Sequence, residues 1–213
     1  MAAPTIKAVI FDQDGTLINT FIPALHAYSA ATGRTITLGE LEPVAHLGAA
    51  RNLLSALLGR EATDSDNDVF HDALAQEIKA IDPYPGVVDL LVALRDAGIG
   101  TALATNSDGR SAQVVLGSHG LDALFDVIIT VNRVSAPKPD PEMIEVALAR
   151  LGVPAEHVAF VGDSPADMKA ARAVGILAVA AGWGHQTSRI ADDAIDLRAE
   201  TPADVARLVL GEA

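Results

Sequence analysis

Short apolar runs recur along the chain at residues 8–11, 99–104, 127–131, 158–161 and 176–180, with a weaker one at 194–197. Between them the spacing predicts helices over 87–97, 108–119, 141–151, 165–174 and 202–210. The first of these puts Val87, Leu90, Leu91 and Leu94 on one stripe and stops at Gly98, a residue suited to a helix C-cap. Strands alternating with helices of this length pair in parallel, because a parallel pair needs a crossover long enough to hold a helix. The expected fold class is therefore α/β, a doubly wound parallel sheet covered on both faces. In such sheets ligands gather at the carboxyl ends of the strands.

Residues 18–82 break this alternation. They carry no convincing strand, only helical groupings: Phe21, Ile22, Leu25 and Tyr28; Leu53, Leu54, Leu57 and Leu58; Phe70, Leu74, Ile78 and Ile81. Polar stretches such as 61–68 separate them, and Pro83 and Pro85 mark the return to the strand–helix pattern. The expected organisation is an α/β core formed by residues 1–17 and 83–213, with a helical cap, residues 18–82, inserted after the first strand. Residues 18–20 and 82–84 are where such a cap would hinge; the sequence does not decide whether it opens. A cap at that point sits above the end of the first strand, where closure excludes water from a substrate.

That first strand runs into Asp12-Gln13-Asp14-Gly15-Thr16-Leu17. Two carboxylates one residue apart raise each other's pKa unless a cation lies between them, and a hard oxygen-seeking ion such as Mg²⁺ suits the place. An EF-hand calcium loop is excluded, since its twelfth position would be Pro23 where a Glu is required. An ordinary turn built from Asp and Gly is the other reading of the pair. The second strand ends in Thr105-Asn106-Ser107, which suits either a phosphate oxygen at a helix N-terminus or simple N-capping. Lys138 stands between Pro137 and Pro139, whose rings restrict the backbone and aim the ammonium. Asp140 and Pro141 read as the N-cap and first residue of the next helix. The fourth strand ends in Gly162-Asp163-Ser164-Pro165-Ala166-Asp167, where Ser164 and Asp167 fit a capping box and Asp163 fits a metal ligand.

Composition narrows the function classes. The net charge is −13 with no cluster of Lys or Arg, which argues against a nucleic-acid surface or an anionic membrane. The chain has no cysteine, so thiolate nucleophiles, disulfides and Cys-based zinc sites are excluded. No run approaches membrane-span length, and Asp12 interrupts the only N-terminal apolar stretch, so a cytoplasmic protein is expected.

Taken together and in this order, the four strand ends resemble the motifs of the haloacid dehalogenase (HAD) superfamily, in its capped phosphatase branch and closest to phosphoglycolate-phosphatase-like members. The resemblance spans essentially the whole chain; Gln13 replaces the Leu usual between the two acids. It implies a Rossmann-like core and hydrolysis of a small phosphate monoester. Asp12 would attack phosphorus and form an aspartyl phosphate, while Asp14 would serve as general acid and then base. Thr105, the Asn106 backbone and Lys138 would bind the phosphoryl oxygens. Mg²⁺ would be held by the Asp12 carboxylate, the Asp14 backbone carbonyl and Asp163, with Asp167 behind them.

Asp14 argues against dehalogenation proper, and Lys79, the only cap lysine, lies too near the hinge for phosphonate cleavage. A sugar-phosphate mutase of the β-phosphoglucomutase type is the leading alternative, and a non-catalytic phosphoryl-binding protein the other. For the substrate, His46 and Arg51 in the cap are candidate specificity residues; Arg51 reads equally as a solvent-facing helix residue. Trp183 and His185 follow the fifth strand at the same mouth, with no role assigned. A monomer or homodimer acting on a phosphoglycolate-like metabolite is expected.

Overall fold

A computed structural model describes residues 5–211. Its sheet contains β1 (Ala8–Phe11), β2 (Gly100–Thr105), β3 (Val127–Thr130), β4 (Val158–Gly162), β5 (Leu177–Ala181) and β6 (Leu197–Ala199), in the order β3-β2-β1-β4-β5-β6. All pairings are parallel, with Ile10 beside Ala102 on one side and Phe160 on the other. The strand order reverses direction at β1, so the carboxyl ends of β1, β2 and β4 frame the crevice in which such sheets bind ligands.

The central strands are mostly apolar because both faces are covered. Val9, Phe11, Leu103, Val161 and Val179 point to one face, against Leu91 and Leu94 of α5 (Val87–Asp96) and Val205 of α9 (Pro202–Leu210). Ala8, Ile10, Ala102, Ile129 and Phe160 point to the other. There they meet Met143 and Ile144 of α7 (Glu142–Leu151) and Met168 of α8 (Pro165–Ala173). The alternation Ala8, Ile10 against Val9, Phe11 is the period-two signature of a strand buried on both sides.

The stretch between β1 and α5 is helical: α1 (Phe21–Thr32), α2 (Leu38–Leu41), a 3₁₀ segment (Glu42–Leu47), α3 (Ala50–Leu58) and α4 (Asp64–Ile78). These helices have their own core, in which Ala27, Tyr28, Leu54, Phe70, Leu74 and Ile78 meet Val115 from α6 (Gly109–Gly117). The chain leaves and re-enters the α/β body side by side, since Ile18 bridges Pro83 and the Tyr84 N–H donates to the Leu17 carbonyl at 2.9 Å.

Two local expectations are corrected. Ile22, grouped with Phe21, Leu25 and Tyr28 in one helical pattern, is 50% exposed. The buried side of that helix runs through Ala27 and Tyr28, and adjacent helical residues diverge by about 100° around the axis. The last strand lies at Leu197–Ala199 rather than 194–197, because Ala199 pairs with Ala181 at the sheet edge while residues 192–194 form a 3₁₀ turn.

Candidate active site

The Asp12 N–H donates to the Val161 carbonyl at 2.9 Å, so the chain is still tied to β4 where the first carboxylate begins. Three residues on, Gly15 takes φ +87°, and a Cβ there would lie 2.4 Å from Asp163 Oδ2 and 2.6 Å from His185 Nδ1. Only glycine allows this turn to close against the β4 and β5 loops.

Asp12 is 7% exposed and Lys138 4%. Lys138 Nζ donates to Asp12 Oδ1 and to the Ala104 carbonyl, each at 2.7 Å, and lies 2.7 Å from Asp167 Oδ1. The lysine backbone is clasped by Asn106: its Oδ1 accepts from the Lys138 N–H at 2.8 Å and its Nδ2 donates to the Lys138 carbonyl at 2.9 Å. Burial alone would lower the lysine pKa, but Asp12 and Asp167 outweigh it and hold the ammonium charged.

Asp167 serves both roles open to it. Its Oδ2 accepts from the Ser164 N–H and hydroxyl at 3.0 and 2.6 Å in a capping box, while Oδ1 faces Lys138. Asp163 is fully buried; its Oδ2 accepts from the Gln186 N–H at 3.0 Å, and its Oδ1 has no protein partner. Burial, followed by the neighbouring Asp167 charge, raises Asp12 well above the carboxylate range. For Asp163, burial, reinforced by Asp167 and Asp14, outweighs the Gln186 hydrogen bond and gives about 7.

Oxygen atoms of Asp12, Asp163 and Asp167 lie within 4.8 Å of one another. An all-oxygen cluster holding an orphaned buried carboxylate oxygen and an excess of negative charge fits a hard divalent cation.

This crowding has a measurable consequence. An acid whose pKa is raised on folding binds more protons folded than unfolded, so stability falls as pH rises between the two values. In EDTA the melting temperature should fall as pH increases from about 4 to about 7, the span of the Asp163 shift. Adding MgCl₂ at pH 7.5 should restore it. Differential scanning calorimetry across that range checks both.

The Asp14 carboxylate turns away from this cluster. Its Oδ1 accepts from the Thr20 hydroxyl at 2.7 Å and Gln13 Nε2 at 3.2 Å, and its Oδ2 from the Ser107 hydroxyl at 2.6 Å. Thr105 Oγ1 stands 3.5 Å away. Thr20 and Ser107 were not singled out as partners of Asp14; a hydroxyl at the start of the cap and another after β2 were the only signals for them.

The cap residues sort differently. Arg51 pairs with Asp64 on the cap surface and borders a second cavity of about 440 Å³. It does not border the space above Asp12, because Leu53 and Leu54 take the inward side of α3. The side chain of His46 lies outside the described residues. Trp183 Nε1 donates to the Thr16 carbonyl at 2.8 Å and so pins the β1 loop. His185 packs on Phe21, ring centroids 5.3 Å apart, and its pKa is lowered chiefly by burial.

Sequence reading also missed the cap–core fastening at Asp108. This residue caps α6 through the Arg110 and Ser111 N–H groups, accepts the Ala50 N–H of the cap at 3.1 Å, and lies 3.3 Å from His71 Nε2. Burial would raise the Asp108 pKa, but these hydrogen bonds hold it well below the usual range.

Above Asp12, Asp14 and Lys138 opens a cavity of about 530 Å³ that reaches between cap and core to Tyr28, Leu53 and Phe70. Residues 6–175 match the haloacid dehalogenase-like hydrolase family. The chain belongs to this family.

Among curated proteins it is similar to phosphoglycolate phosphatase of Rhodospirillum rubrum, at 34% identity over 87% of this chain and 83% of that one. It is also similar to phosphoglycolate phosphatase of Pseudomonas savastanoi, at 33% over 86% and 72%. N-acetylmuramic acid 6-phosphate phosphatase of Pseudomonas aeruginosa is 29% identical over 84% and 83%. Among solved structures, CbbY from Rhodobacter sphaeroides in complex with phosphate superposes with TM-score 0.81 at 22% identity, covering 94% of this chain and 96% of that one. A HAD phosphatase from Thermococcus onnurineus gives 0.76 at 25%, covering 97% and 99%. The chain is a HAD-type phosphatase with the family's α/β fold, and no helix among its described residues is long and apolar enough to cross a membrane.

Proposed function

We propose that this HAD phosphatase hydrolyses a small phosphate monoester in two steps, with Asp12 as nucleophile and Mg²⁺ as the cation. The observation that carries the reading is the buried contact of Asp12 with Lys138 beside the unpartnered Asp163 oxygen, beneath a cavity closed by the cap. One Asp12 oxygen is bound by the ammonium, and the other is the candidate to attack phosphorus, forming the P–O bond of an aspartyl phosphate as the ester oxygen departs.

Asp14, two residues on and held by Thr20 and Ser107, is the candidate general acid that would protonate the leaving oxygen. It then takes a proton from the water that cleaves the acyl phosphate. Lys138, Thr105 and the Asn106 backbone would bind the phosphoryl oxygens, where fixed donors stabilise charge spread in the transition state. Asp12, Asp163 and the Asp14 backbone carbonyl would hold Mg²⁺, with Asp167 supporting them and fixing Lys138. The ion supplies charge neutralisation between an anionic nucleophile and an anionic phosphate. The relatives differ in the alcohol they release, so what they share with this chain is the phosphoryl chemistry and not one substrate.

Release of inorganic phosphate from p-nitrophenyl phosphate, measured before and after EDTA treatment, tests the reading. Activity should fall to background and return on adding MgCl₂. Turnover that survives chelation would remove the metal from the mechanism; steady phosphate release without a bisphosphate primer separates a hydrolase from a mutase.

A further inference from the structure

On the reading that this site cleaves phosphate monoesters, we infer that the departing group is an uncharged, predominantly apolar one, an aryl group seated in the cap chamber, and not a small carboxylic acid. The cavity continues without a break from Asp12 and Lys138 to Phe21, Tyr28, Leu53, Phe70 and Leu74. Tyr28 and Phe70 form an aromatic wall, ring centroids 4.5 Å apart. Its volume, about 530 Å³, falls in the range that houses a ring-bearing ligand and greatly exceeds the need of a two-carbon acid.

The charges around the chamber point the same way. Asp12, Asp14, Asp108 and Asp167 all border it, whereas its Lys and Arg residues are Lys138 and Arg189. Lys138 is committed to Asp12 and Asp167, and Arg189 pairs with Glu42 of the cap at the rim. Arg51, the arginine that sequence reading offered for a substrate carboxylate, lies elsewhere. A second anionic group on the substrate would be buried among carboxylates with no free lysine or arginine among the described residues, an arrangement that costs more than apolar contact returns.

Tyr28 is an uncommitted polar group deep in the chamber. Tyr28 is 5% exposed and its hydroxyl makes no hydrogen bond to any described residue. Burial, then the charges of Asp108 and Asp14, raise its pKa and keep the proton on oxygen. Tyr28 therefore offers a single donor to an acceptor on the ring of the departing group, and is assigned as a specificity residue.

The test compares the intact protein with Mg²⁺ on 1-naphthyl phosphate and 2-phosphoglycolate. In parallel it compares calorimetric binding of 1-naphthylmethylphosphonate and 3-phosphonopropionate, which needs no turnover. The aryl compound should be favoured by roughly 10–100-fold in both kcat/KM and Kd, the return expected for burying a ring. Tyr28→Phe, which keeps the ring, should lower kcat/KM for p-nitrophenyl phosphate about 5–10-fold more than for phenyl phosphate.

Equal or tighter binding of the carboxylate-bearing phosphonate overturns the inference, and an equal loss on both phenyl esters removes Tyr28 from it. If no ester is hydrolysed while the aryl phosphonate still binds more tightly, the hydrolase reading fails and the apolar chamber stands.

Discussion

Asp12→Asn should eliminate phosphate release, with kcat lower by on the order of 10⁴–10⁶-fold, the scale seen when a covalent nucleophile is removed. The amide keeps the shape of the side chain and can still accept from Lys138 Nζ, so the loss reports nucleophilicity rather than geometry. Stability should move the other way. Burial and the Asp167 charge raise Asp12 well above the ordinary carboxylate range, so its ionised form is a cost to the folded state at neutral pH without metal.

Replacing it by a neutral group removes that cost. The melting temperature of Asp12→Asn in EDTA at pH 7.5 should therefore equal or exceed that of the parent. Steady-state assays and thermal unfolding on the same preparation check both effects. A variant that retains more than about one-hundredth of parental kcat, a loss no larger than that of a single donor, would refute the assignment of Asp12 as nucleophile.

The sheet was legible because its central strands are buried on both faces, leaving near-continuous apolar runs. The candidate site was legible where its residues follow strand ends: Asp12, Asp14, Thr105 and Asp163 leave β1, β2 and β4 at one crevice, and Lys138 and Asp167 reach it from the loop after β3 and the first turn of α8. What escaped depends on packing between segments far apart in sequence.

Arg51 looked available because a helix arginine before two leucines can face either way; the turn of α3 sent Leu53 inward and Arg51 to Asp64. Asp108 stood only as the start of an expected helix; it caps α6, but its contacts with Ala50 and His71 exist only once the cap is seated. Asn106 was read through its backbone, whereas its side chain fastens Lys138 from both directions across 32 residues of sequence. Ile22 failed for a simpler reason: an apolar pair such as Phe21-Ile22 spans two sides of a helix, and only one of them faces the cap core.

Lys138→Met should be the counterpart of Asp12→Asn and should differ from it in sign for stability. Methionine matches the length of the stem, so packing against Phe160, whose ring centroid lies 5.3 Å from Nζ, is largely kept. What disappears is the cation at 2.7 Å from both Asp12 and Asp167, leaving buried carboxylates to face each other. Removing one member of a buried ionic cluster costs about 3–5 kcal/mol, because the remaining charges stay desolvated and uncompensated.

The melting temperature in EDTA should fall accordingly, and the fall should shrink at low pH, where Asp12 and Asp163 accept protons. Adding Asp12→Asn to Lys138→Met should recover part of the loss, since it removes the most crowded of the stranded charges. A double-mutant cycle on thermal unfolding measures that coupling. Additive losses in the cycle would mean that Lys138 and Asp12 do not share a charge balance, and the account of how an anionic nucleophile is kept ready for an anionic substrate would fail with it. Activity in Lys138→Met should drop by at least 10²–10³-fold, as for loss of a fixed oxyanion donor. The loss should persist at saturating Mg²⁺, because the residues that would hold a metal are not the one that carries the ammonium.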